Sequence, residues 1–336
     1  MLRSRFHFVV LLVASLVLAC APSGKTQTMP DTATADTVMK DGPGRKRIAL
    51  TYDDAPRGDG AIFSGPARTQ ALLNAWDAAD TGPVAIFVTT QGLDRHEGRA
   101  RTQAYAAAGH LIANHSHSHP WASRTDTDAY IADIDRAETN LDGFANRRNW
   151  FRFPFLDEGG RGEAGLALAK RDALRGALKA RGLISGYVTV DTYDWHMERL
   201  WQQAVRDGRS VDRAALSRIY SDMVVEAANH YDAMSIAVLG RRPAQVLLLH
   251  ENDLAAAFTV DMVAALRADG WTIIDPDTAF ADPIADHLPD TRFSGMGRIA
   301  AIARDAGLSG AETFDHWSAS EAGIESRMDV AGVFSD

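Results

Sequence analysis

Arg47-Ile48-Ala49-Leu50-Thr51-Tyr52-Asp53-Asp54-Ala55-Pro56 begins as a β-prone apolar run and ends in two adjacent carboxylates ahead of a proline. A strand that closes on polar residues is where α/β folds usually place their chemistry. The same kind of run recurs at Val84 to Thr89, His110 to Ala113, Trp150 to Phe153, Gly186 to Val190, Val246 to Leu249 and Trp271 to Ile274. Between these, Pro66 to Ala79, Arg99 to Ala108, Arg161 to Lys179 and Val260 to Ala268 are helix-prone, with Gly82 and Gly109 where helix stops are expected. Such alternation predicts parallel strands joined by helical crossovers.

The chain around this pattern has 336 residues, more than the roughly 200 to 250 that a single α/β unit commonly needs. With 46% hydrophobic residues it has material for a sizeable core. Its formal net charge of -9, with no lysine and arginine stripe, argues against a nucleic-acid partner. Arg3 and Arg5 followed by the apolar stretch Phe8 to Val13 and on to Leu18 read as an export signal over residues 1–20, too short for a comfortable membrane span. The single cysteine, Cys20 in Val17-Leu18-Ala19-Cys20, resembles a bacterial lipobox, in which Cys20 is lipidated and anchors the protein at the cell envelope. The alternative is ordinary cleavage at the small residues Ala19-Cys20-Ala21. Residues 21–46 lack aromatics and read as a flexible tether. A helical insertion is expected over residues 196–243, and residues 286–336 form a polar, glycine-punctuated tail with one helix near Met296 to Ala306.

Chemistry concentrates in two clusters. Asp53 and Asp54, in an extended segment, point to opposite sides and take different roles, one binding metal and one acting as base; alone, an Asp pair before Ala-Pro also makes a simple turn. His115-Ser116-His117-Ser118-His119 places three of the chain's 11 histidines within one short segment. Spacing of four brings His115 and His119 onto one face of a helical turn, within reach of one ion, although Pro120 requires that turn to end there or be irregular. The spacing His115-x-His117 also occurs in metal barrels of the amidohydrolase kind, where it closes the first strand. Here the histidines follow a later strand, so His117 is expected behind the metal or facing solvent. Carboxylate and imidazole together suit a divalent cation such as zinc.

Taken in order, these motifs resemble the NodB-type polysaccharide deacetylases, carbohydrate esterase family 4. Thr51-Tyr52-Asp53-Asp54-Ala55-Pro56 resembles the first motif, with Tyr where Phe is usual, and His115 to Pro120 the second. Phe151-Arg152-Phe153-Pro154-Phe155, Asp191-Thr192-Tyr193-Asp194-Trp195 and Leu247-Leu248-Leu249-His250 are similar to the third, fourth and fifth. The resemblance, over most of residues 47–285, implies an α/β fold, a distorted (β/α)7-type barrel with the helical insertion before the last strands. It implies Asp54, His115 and His119 as ligands of one divalent metal, usually Zn²⁺, Asp53 as general base and His250 as general acid. It implies Arg152 as the residue holding Asp53, with Asp194 or Asp191 orienting His250 or Arg152. Phe155, Trp195 and Leu248 then bind substrate, the backbone N–H of Phe155 serving the oxyanion.

The implied activity is removal of acetyl groups from an N- or O-acetylated carbohydrate. Phe155-Leu156 after the proline and the insertion depart from well-known chitin or peptidoglycan deacetylases, and such loops set substrate choice. Two other readings fit the same residues, a catalytically silent carbohydrate-binding lipoprotein and an amidase for a small acetylated or formylated substrate.

Overall fold

The computed structural model describes residues 44–335, apart from 96, 293 and 294. Cys20, the export signal and most of the tether lie outside the described residues. Strand and helix alternate as β1 (Arg47–Ala55), α1 (Gly65–Ala78), β2 (Ala85–Val88), α2 (Gly98–Ala107), β3 (Leu111–Asn114), α3 (Thr127–Leu141), β4 (Arg147–Phe151), α4 (Ala164–Ala180) and β5 (Ile184–Ser185). There follow α5 (Asp194–Arg206), β6 (Ser210–Val211), α6 (Arg213–Leu239), β7 (Gln245–His250), α7 (Asp253–Ala268) and β8 (Thr272–Ile273). The chain continues through α8 (Pro276–Phe280), α9 (Gly297–Asp305), α10 (Ala311–Phe314), α11 (Glu321–Val330) and β9 (Phe334–Ser335).

A seven-stranded, wholly parallel sheet runs β5-β4-β3-β2-β1-β7, with β8 paired to the start of β1. Its β1 is central because Ile48, Ala49, Leu50 and Tyr52 are fully buried and give both faces an apolar surface. The ring closes through one segment. Gly186 N–H donates to the Phe151 carbonyl of β4, and four residues on Val190 N–H donates to the Val246 carbonyl of β7. The run Gly186 to Val190, expected as a continuous strand, is therefore a pair at β5 and an isolated bridge at Val190, because the chain changes partners midway. At Gly186 a Cβ would lie 2.5 Å from the Phe87 ring and 3.2 Å from the Phe151 carbonyl, so glycine is what lets the segment cross over β4. The result is a distorted (β/α)7-type barrel.

Helix starts are marked by capping side chains. Ser64 accepts from Ala67 N–H, Asp126 from Asp128 and Ala129, Asp212 from Ala214 and Ala215, and Asn252 from Ala255. The α3 helix was not among the expected elements, although Tyr130, Ile134, Ala137 and Leu141 give it a helical spacing of buried residues. The insertion also differs from expectation. Its first helix begins at Asp194, so the insertion grows directly out of the site, and it includes a two-residue strand, β6, antiparallel to β9. The tail folds back on the domain. Ile299, Ala303, Ile324, Met328 and Val333 join the main core, Tyr193 N–H donates to the Ser318 carbonyl, and Arg298 N–H to that of Val188.

Candidate metal centre and catalytic cleft

Parallel strands bring the residues that follow them to one end of the barrel, and the expected catalytic, substrate-binding and metal-binding residues lie there. Asp53 and Asp54 are inside β1 rather than beyond it. The register of β1 against β2 slips between Tyr52 and Ala55, and Asp54 has a φ of 69°. This corrects the expectation that the two carboxylates point to opposite sides. The bulge turns Asp54 back, so that Asp53 Oδ2 and Asp54 Oδ1 each lie 3.6 Å from His115 Nε2. Nor do His115 and His119 share a helical turn. The chain after β3 is irregular, with Ser116 at φ 69° and His119 at φ 57°, and it is this bend that faces His119 Nε2 towards Asp54 Oδ1 at 3.2 Å.

Non-glycine residues with positive φ gather here. Of eight among the described residues, Asp54, Ser116, His119, Phe155 and Leu156 border this site. Such conformations persist only where surrounding contacts over-determine them. Asn114 Oδ1 accepts from Ser116 N–H, Ser116 Oγ from His119 N–H, and Asp133 from His117 N–H. His117 itself is buried beside Thr90 and Asn140, 3.0 Å from Thr90 Oγ1, and holds the loop rather than facing solvent.

The donor atoms of Asp54, His115 and His119 lie within 4.8 Å of one another, one carboxylate and two imidazoles. Their states suit a cation. His115 Nδ1 lies 2.9 Å from the Arg152 carbonyl, to which it donates, leaving the Nε2 lone pair facing Asp54. Burial pushes His119 down to about 4, so its imidazole is neutral at pH 7. Burial by itself raises Asp54, but the positive charge around it, that of His250 first, outweighs burial and holds the carboxyl well below the usual range. A divalent ion of zinc's kind fits this set, with room for further ligands on the cleft side.

Arg152, fully buried, holds Asp53. Its Nη1 donates to Asp53 Oδ1 and Thr51 Oγ1, each at 2.7 Å, its Nε donates to the Gly186 carbonyl at 2.7 Å, and its guanidinium lies 3.8 Å from the Phe87 ring centroid. With Nη2 donating to the Tyr187 carbonyl, four of its five N–H groups are taken. Across the site, His250 ends β7 with Nδ1 2.6 Å from Asp194 Oδ1, while Asp194 Oδ2 accepts from His250 N–H and Asn252 Nδ2. Burial lowers His250, but the Asp194 charge and hydrogen bond, helped by Asp54 and Asp53, raise it to about 9. The two aspartates left open by the sequence now separate. Asp194 orients His250, whereas Arg152 is held by carbonyls and Asp53, and Asp191 does neither. Asp191 lines the cleft, where burial pushes its carboxyl up to about 7.

Residues 40–170 match the family model for polysaccharide deacetylases. Over this segment the chain is similar to the polysaccharide deacetylases. Solved structures similar to the chain include a family 4 carbohydrate esterase from Streptomyces lividans in complex with acetate, at 21% identity over 70% of this chain and 95% of that one, with a TM-score of 0.41. Another is the peptidoglycan deacetylase PdaC from Bacillus subtilis, at 19% identity over 69% and 89%, TM-score 0.43. A CE4 family pseudoenzyme from Bacillus anthracis is similar at 15% identity over 68% and 63%, TM-score 0.44. No curated protein sequence matches the chain.

The Asp54-His115-His119 triad opens into a cleft of about 440 Å³ that includes Asp53, Asp191, His250 and the expected Phe155, Trp195 and Leu248. Sequence reasoning missed Trp121, Tyr193 and Arg161 in its wall. Trp121 stacks on Phe155 with centroids 4.0 Å apart and planes 6° apart, and Phe155 in turn meets the His119 ring at 4.5 Å. Trp121 stands two residues past His119 and Tyr193 lies inside the fourth motif, so an aromatic beside a ligand was the available signal. Phe155 is 41% exposed, which leaves a ring of this pair open to the cleft. Exposed aromatic faces of this kind suit the apolar face of a sugar ring.

Proposed function

We propose that the protein is a metal-dependent deacetylase of an acetylated carbohydrate. The observation that carries this is the triad Asp54-His115-His119 flanked on one side by Asp53 on Arg152 and on the other by His250 on Asp194. A divalent ion, zinc by its ligand chemistry, would supply Lewis-acid polarisation of a carbonyl and acidification of water. Asp53 takes the proton of the attacking water, and the Arg152 contact keeps it aimed. His250, protonated at neutral pH through Asp194, donates to the departing amine or alkoxide. The Phe155 backbone N–H donates to the carbonyl oxygen as negative charge develops there. Trp121, Phe155, Tyr193 and Trp195 hold the sugar ring.

We further place this chemistry at the cell envelope, from the apolar stretch at residues 8–18 and Cys20, whose lipidation would anchor the chain. Acetate release from chitooligosaccharides, peptidoglycan fragments and acetylxylan tests the reaction, with zinc-loaded wild type beside Asp53→Asn and His115→Ala. Acetate from wild type and not from the variants is the expected result. No acetate from any of these glycans with metal bound would favour the silent binding protein or a small substrate instead.

A further inference from the structure

A second cleft, about 410 Å³, meets the metal triad from another direction and shares Asp54 and His119 with the aromatic one. Its lining is different in kind, with Arg57, Arg95, Thr89, Gln91 and Ser118. Two polar atoms carried by these residues, Arg57 Nη1 and Thr89 Oγ1, are buried without a protein hydrogen-bond partner. Among the described residues Arg57 Nη1 is the one guanidinium nitrogen buried in this way, and the neighbouring guanidinium groups each pair with a carboxylate. Arg68 pairs with Asp253, Arg101 with Glu251, and Arg152 with Asp53. Glu251, the acid nearest to the Arg57 backbone, already accepts from Arg57 N–H, Arg101 and Tyr105. Arg95 Nη1 has only a 3.5 Å approach to the Pro56 carbonyl. A buried donor left unpaired costs about 1–3 kcal/mol, so one guanidinium nitrogen and one hydroxyl without partners, on two residues that line the same cleft, suit a ligand that pairs both. A carboxylate does so, accepting from the guanidinium and from the hydroxyl.

Beyond Trp121 the other flank is cationic too. Arg124 and Arg161 lie 4.8 and 4.9 Å from the Trp121 ring centroid, and Arg161 lines a further cleft of about 390 Å³ with Arg292 and Arg304. This runs against the chain's overall charge of -9. We infer that the Arg57–Arg95 cleft is a subsite for the carboxylate of an acidic sugar next to the acetylated residue, and that the substrate is an anionic acetylated glycan. This rests on the deacetylase reading for the reaction, but the binding claim is separable from it.

The test is calorimetric binding to His115→Ala protein, whose metal site is broken. The probes are an oligosaccharide of alternating N-acetylglucosamine and glucuronic acid and the same oligosaccharide with its carboxyls reduced to alcohols. The acidic form is expected to bind about tenfold or more tightly than the neutral one, the margin of one charged hydrogen-bonded contact. Adding Arg57→Gln or Arg95→Gln should bring the two affinities together, with Arg57→Lys retaining part of the difference and unchanged melting temperatures showing that the variants fold. Equal affinity for both forms, or a preference that survives both glutamine substitutions, overturns the proposal. So does displacement of the acidic oligosaccharide by acetate at equal carboxylate concentration, which would make the cleft a site for released acetate. Binding as expected without acetate release by the zinc-loaded wild type would contradict the deacetylase reading and leave this one standing.

Discussion

Asp194 holds both ends of one hydrogen-bonding unit, its Oδ1 2.6 Å from His250 Nδ1 and its Oδ2 2.9 Å from the His250 backbone nitrogen. The carboxylate fixes ring and main chain together, so Nε2 has one orientation and carries the proton that the cleft receives. Asp194 is itself the first residue of α5, where the helix dipole favours its negative charge.

A pH prediction follows from that pair. With the His250 pKa raised to about 9, the acid keeps its proton through neutrality, and kcat should fall only as pH rises through about 9. In Asp194→Asn the charge that outweighs burial is gone, so the alkaline limb should move down towards the ordinary 6.5 or below. A pH–kcat profile checks it. An alkaline limb that stays put in Asp194→Asn would mean that another group supplies the proton.

The base and the ligands should part company under mutation. Asp53→Asn is expected to lower kcat about 10²–10⁴-fold while the protein still takes up one metal ion. His119→Ala is expected to lose the metal and the activity together. Metal analysis of the purified variants beside their kcat separates the two roles.

Trp121→Ala should raise KM more than it lowers kcat. Its stacking on Phe155 is worth about 0.5–1.5 kcal/mol, which translates to at most about tenfold, and neither ring carries a proton in the reaction. Initial rates across substrate concentrations check this split. A fall in kcat with KM unchanged would place Trp121 in the chemistry instead.

Beneath the loop after β1, Glu251 is fully buried and takes Arg101 at 2.6 Å and Tyr105 Oη at 2.8 Å, with Arg68 at 3.8 Å. Glu251→Ala leaves buried guanidinium charge uncompensated, and a cost of about 3–5 kcal/mol is expected. For a domain of this size that is a drop in Tm of about 10 °C, measurable by calorimetry.

The sequence made the barrel legible because each strand ends on residues that cannot continue an apolar run, and the crossovers carry their own caps and stops. It made the candidate triad Asp54, His115 and His119 legible through residue type and order. It could not give the geometry at Asp54, since nothing in Tyr52-Asp53-Asp54-Ala55 signals a left-handed residue within a strand. The expectation of opposed carboxylates failed for that reason. Asp191 and Asp194 stayed indistinguishable because they are three residues apart in one motif, and only the start of α5 at Asp194 decides which one faces His250. The α3 helix had a readable period, but its Thr, Asp and Asn content masked it. The tail was opaque because its apolar residues are sparse along the chain and become a core face only when α9 and α11 fold back.

Under the proposed function, the Asp54, His115 and His119 triad makes this chain a deacetylase by holding one divalent ion. The most direct measurement is acetate release from an acetylated oligosaccharide by chelated protein as zinc is added back, followed against bound metal. Activity that is absent without metal and rises linearly to a plateau at one zinc per chain is the predicted result. Full acetate release by the metal-free protein, or zinc bound at one equivalent with no acetate released from any acetylated glycan, would contradict it.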